Sequence, residues 1–151
     1  MLFRSNTLDL FRALLRDALH DMEIVAGDFP VVTSDETGRN VLRQWVRKFF
    51  AAYAAHSTVL RTLSSANAPG ELFGDGLRLF FSITEAMTTG MTAAAEAAGR
   101  HQEHAELTAF ACLMMLERVN FVVTTEVQLP IDEMADRIAE IMFAAFGLTP
   151  A

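Results

Sequence analysis

Cysteine, proline, positive charge and long apolar runs are all scarce in this chain, and each scarcity removes a class of protein. The single cysteine, Cys112, rules out a disulfide framework within the chain and suits a reducing compartment. The four prolines, Pro30, Pro69, Pro130 and Pro150, fall where helical patterns break, so none interrupts an element. Lys and Arg number 12 against 19 Asp and Glu, a net charge of −7, which leaves no basic footprint for gripping nucleic acid unaided. The longest unbroken apolar run, residues 109–116, is well short of the ~20 residues that span a bilayer. The opening residues, Met1-Leu2-Phe3-Arg4-Ser5-Asn6, lack the apolar core of a secretory signal. A soluble cytoplasmic protein with no membrane partner is expected.

Catalytic and metal-binding patterns are equally thin. His101 and His104, with Glu103 and Glu106 beside them, could place two ligands on one helical face. A structural zinc site wants four ligands, however, and there is no Cys pair to complete it. The pattern therefore reads as the polar start of a helix. The inward Glu-x-x-His pairs of di-iron bundles are missing. Gly74-Asp75-Gly76 lacks the rest of a phosphate-binding loop and any preceding strand, and no Ser stands in a nucleophile elbow. Cys112 sits in an apolar run, where thiol reactivity is suppressed. Neither an enzyme nor a cofactor is expected.

What the chain has in plenty is apolar bulk: 52% hydrophobic residues, with 12 Phe and 8 Met. This is enough for a real core in a single domain over residues 1–151. The period is helical throughout, giving an all-α expectation of six helices. The first follows a cap at Ser5–Thr7, carries Leu8, Phe11, Leu15, Ala18 and Met22 on one face, and ends near Val25. The second starts at Ser34-Asp35-Glu36 and runs to about Tyr53, with Val41, Leu42, Trp45, Val46, Phe49, Phe50 and Tyr53 as one stripe. A short third helix runs from Ser57 to about Ala66, closed by Asn67-Ala68-Pro69-Gly70. The fourth covers about 72–98 and stops at Gly99, the fifth about 102–126. The sixth follows Pro130, with Ile131, Met134, Ile138, Ile141 and Ala145 inward. The basic group Arg39, Arg43, Arg47 and Lys48 reads as a solvated face opposite Trp45 and Phe49.

The fifth helix is the most informative. Between Ala109 and Val123 it is apolar on every side, whereas a surface helix of a monomer keeps one polar face. Burial on two sides follows, one by the domain's own core and the other most simply by a second chain. Large, soft side chains are concentrated on three helices: Trp45, Phe49 and Tyr53; Phe80, Phe81, Met87 and Met91; Phe110, Met114 and Met115. Such a set can line a small-molecule cavity, with Thr84, Thr88 and Thr89 to orient a ligand. The same set describes a filled bundle core, and periodicity does not separate the two.

Three stretches bear a family resemblance. Phe3-Arg4-Ser5-Asn6 with Leu10-Phe11-Arg12-Ala13-Leu14-Leu15 is one. Trp45-Val46-Arg47-Lys48-Phe49-Phe50-Ala51-Ala52-Tyr53-Ala54-Ala55-His56 is another. The third is Leu113-Met114-Met115-Leu116-Glu117-Arg118 together with residues 131–146. The chain resembles the effector-binding and dimerising domain of the tetracycline-repressor (TetR) family of bacterial transcription regulators, and is most similar to the ethionamide-regulator type. The resemblance implies a six-helix bundle that forms a homodimer through its last two helices, with Phe121, Val122, Ile138, Ile141, Met142 and Ala145 at the interface. It also implies a repressor whose small apolar ligand controls operator DNA binding. The family's helix-turn-helix is absent from this chain, so DNA would be reached only through that missing module. Leu116 stands where relatives often carry Asn, which implies a more apolar ligand. The alternative is a stand-alone helical binding or interaction module without DNA contact.

Overall fold

The computed structural model describes residues 2–63, 65, 70–124 and 130–149, with the side chains of 2–5 and 71 excepted. Its described residues form six helices and no strand: α1 (Leu2–Gly27), α2 (Glu36–Ala55), α3 (Ser57–Leu63), α4 (Gly70–Ala97), α5 (Ala105–Val123) and α6 (Ile131–Ala145). No helix among them is long and apolar enough to cross a membrane.

Local chemistry sets the boundaries. The Asp35 carboxylate accepts from the Gly38 amide at 3.0 Å and caps α2, satisfying a donor that has no partner within the helix. The Thr33 hydroxyl, first, and then the Gly38 N–H hold the Asp35 carboxyl below the usual carboxylate range. α4 and α6 both end in Schellman turns. In the first, Gly99 (φ +71°) and Arg100 donate to Glu96 and Ala95. In the second, Gly147 (φ +68°) and Leu148 donate to Ala144 and Phe143.

Several expected boundaries shift. Ser5–Thr7 lies inside α1 rather than capping it, because the helix is already formed at Leu2. Leu8 is exposed, so the buried face of α1 is made by Leu15, Ala18 and Met22 with Phe11 partly covered. α3 ends at Leu63; Ala66 to Pro69 lie outside the described residues, and Gly70 opens α4 instead of closing α3. α5 begins at Ala105, after a loop that holds His101 and His104; residues 125–126 lie outside the described residues.

α1 lies against α2, α3 and α4; α4 pairs with α5; α6 packs chiefly on α2. The α1–α2 connection crosses α4 at Gly90, where an added Cβ would stand 2.6 Å from the Phe29 ring. That ring meets Trp45 edge-on at 4.8 Å, and the Trp45 indole N–H donates to the Val25 carbonyl at 2.8 Å. Asn120, the buried polar side chain among the described residues, donates back to the Leu116 carbonyl at 2.8 Å, so its burial leaves that donor satisfied.

The basic group on α2 is a solvated face only at Arg47 and Lys48, which are exposed, while Arg39 and Arg43 are half-buried against α6. Arg39 and Arg43 both donate to Glu140 on α6, at 2.8 and 2.6 Å, and Arg47 forks onto Asp136. The Arg39 guanidinium also lies 4.7 Å above the Phe143 ring, a cation–π contact. These pairs fix the rotation of α6. Its inward residues are Ala135, Ile138, Ala139, Met142 and Phe143, whereas Ile131, Ile141 and Ala145 face outward, contrary to expectation.

Candidate functional site

An apolar cavity of about 410 Å³ opens between α2, α3, α4 and α5, within the ~300–1,000 Å³ usual for small-molecule sites. Its position follows from helix geometry. Phe49 and Tyr53 are one turn apart on α2, with ring centroids 6.4 Å apart, and form one wall. Leu60 and Leu63 of α3 close one end. Phe73, Leu77, Phe80 and Phe81 of α4 and Phe110, Leu113 and Met114 of α5 form the opposite wall, where Phe80 meets Phe110 edge-on at 5.2 Å. α1 contributes Met22. Gly76 also faces this space, and a Cβ there would make only ordinary contact with Leu63.

Around the mouth, large apolar side chains stand in solvent. Phe73 is 53% exposed and Phe81 62%, with Leu77, Phe110 and Met114 also open. A patch of this kind on a lone chain marks a place where something binds.

Two charged side chains line the cavity, Glu117 and Arg118. The Tyr53 hydroxyl donates to the Glu117 carboxylate at 3.4 Å. Glu117 is 17% exposed and Arg118 57%. Arg118 turns away over the Phe121 ring, 4.9 Å from its centroid, and keeps only a 3.9 Å approach to Glu117.

Of the ten aromatic and methionine residues singled out from sequence, Phe49, Tyr53, Phe80, Phe81, Phe110 and Met114 line this cavity. Trp45 is instead tied to Val25 and Phe29; Met87 and Met91 are fully buried core; Met115 packs partly against the core. Thr84 and Thr88 donate back to the carbonyls of Phe80 and Thr84, within their own helix, and Thr89 is exposed. Glu117, Gly76, Leu60, Leu63, Phe73 and Leu77 were not singled out. Glu117 carried a readable signal, as the acidic residue directly after the apolar run.

α5 buries Ala109, Cys112, Leu113, Leu116 and Asn120 on one side. Its other side, with Leu107, Phe110, Met114 and Val122, is open in the single chain. Of the residues assigned to a dimer interface, Ile138 and Met142 are buried in the chain's own core; Phe121 is half-buried; Val122, Ile141 and Ala145 are exposed. Among the described residues no group of three or more His, Cys, Asp and Glu could hold a metal ion.

Fold and site together define an all-helical chain with an apolar cavity that reaches four of its helices and touches a fifth. Comparison with family models, with curated proteins and with solved structures found no match.

Proposed function

We propose that this chain is the ligand-sensing and dimerising domain of a TetR-like transcriptional repressor, in which a small, largely apolar effector controls DNA binding by a helix-turn-helix module joined before α1. The observation that carries this reading is the cavity. It is lined by aromatic side chains of α2, α4 and α5 and touched by α1 through Met22, the helix that would lead to that module. The effector would favour one arrangement of α1 over another, and by no more than its difference in affinity for the two.

The homodimer is part of the same proposal. α5 and α6 present Leu107, Val122, Ile131, Ile141 and Ala145 outward, and a twofold interface would use the same patch on both copies. Native mass spectrometry of the purified chain tests both parts. A dimer carrying a small organic mass is the expected result. A monomer with nothing bound would sink the reading.

A further inference from the structure

We infer that the molecule held in this cavity is a monocation: a compact apolar body ending in one protonated amine, which is held by Glu117 with Tyr53 at its side. This rests on the proposal that the cavity is a ligand site and goes beyond it by naming the chemistry of the ligand.

The argument starts from the cost of a carboxylate among aromatic and aliphatic walls. Burying a charge in apolar surroundings is unfavourable unless it is paired and hydrogen-bonded. Glu117 is mostly covered, and its contacts are weak for a carboxylate, a 3.4 Å hydrogen bond from Tyr53 and a 3.9 Å approach from Arg118 Nε. An ionic N–H···O pair closes to about 2.7–2.9 Å. Arg118 does not supply that pair, because neighbouring residues on a helix point to different sides and its guanidinium lies over Phe121. A cationic head entering the cavity would make the short, charge-assisted contact that the protein itself does not make.

The opposite polarity fits worse. An anionic head could reach Arg118 only at the more exposed edge, and it would bring its charge beside Glu117. The lining offers no amide side chain for an uncharged polar head; among the described residues its hydroxyl is that of Tyr53. The net charge of −7 also raises the local concentration of cations over anions. The remaining walls require the rest of the molecule to be apolar.

The test compares three eight-carbon probes that differ only at the head, octylamine, octanol and octanoate, by titration calorimetry at neutral pH. The wild-type chain and Glu117→Gln, a change that keeps size and shape, are both titrated. Octylamine is expected to bind the wild type about ten- to a hundredfold more tightly than octanol, as for a charge-assisted hydrogen bond. Octanoate is expected to bind most weakly. In Glu117→Gln the amine should lose that advantage while octanol affinity is kept. The wild-type ranking stands alone if the variant fails to fold. Equal binding of all three probes, or preference for octanoate, would overturn the monocation and leave the ligand cavity standing. Binding of none would overturn both readings together, and an amine preference that survives in Glu117→Gln would overturn the role of Glu117.

Discussion

Position 38 admits no side chain: a Cβ there would stand 1.8 Å from the Thr33 carbonyl oxygen, a backbone atom that cannot step aside. Because Gly38 also supplies the amide that Asp35 caps, Gly38→Ala should destabilise the fold by about 1–3 kcal/mol, through overlap and loss of the cap. Urea unfolding would measure this, and a change below about 0.5 kcal/mol, the range of neutral surface substitutions, would contradict it. Cys112 makes a different prediction. Burial pushes its thiol up to about 11, whereas an unfolded cysteine titrates near 8.5. The folded state therefore holds the proton more tightly. Its contribution is fully present below about pH 8.5 and is lost as the pH rises towards about 11. Wild type should lose more stability than Cys112→Ala between about pH 8.5 and 10.5, and the native thiol should resist maleimide until the chain unfolds. Parallel pH profiles for the two proteins would count against this.

At the scale of elements, the α2–α6 seam carries a ranking. Glu140 takes both Arg39 and Arg43 and is 32% exposed; Asp136 takes Arg47 at a more open place. Glu140→Ala should cost about 1–2 kcal/mol after allowance for solvent screening, and Asp136→Ala less than about 1 kcal/mol. Urea unfolding of both variants gives the order; a reversed order would contradict the ranking, and no loss in either variant would show that the seam is held by packing alone. This seam also explains which parts of the fold were readable. The helix start at Asp35 and the stop at Gly99 were legible because capping is local chemistry written within four residues. The rotation of α6 was not. An alanine-rich helix offers two apolar stripes, one through Ile131, Ile138 and Ile141 and one through Ala135, Ile138 and Met142. The choice between them is made by arginines almost a hundred residues away. The cavity was half legible for a related reason. Phe49, Tyr53, Phe80 and Phe110 share a helical period with core residues, so the period alone does not mark them as cavity wall. Met87 and Met91 continue the α4 pattern past the cavity into solid core, where no period marks the change.

For the whole molecule, the cavity and the stability of the fold pull against each other at Gly76. Alanine there meets Leu63 at an ordinary distance and suits a helix better, by roughly 1 kcal/mol. Gly76→Ala should therefore raise the unfolding midpoint while weakening octanol binding, since the new methyl group takes cavity space. Thermal melts and calorimetry on the same preparation would show both, and tighter octanol binding would mean the site is not where the lining residues place it. A last consequence concerns α1, which is 26 residues long. It is pinned near its end, where the Val25 carbonyl takes the Trp45 indole and Phe29 is wedged between Trp45 and the notch at Gly90. Met22, its point of contact with the cavity, lies less than one turn from that pin, while Leu2 lies about 30 Å further along at 1.5 Å per residue. Leu15 and Ala18 are buried with Met22, so a ligand that repacked this half of α1 and tilted it as a unit would displace the amino end several times further than Met22 itself.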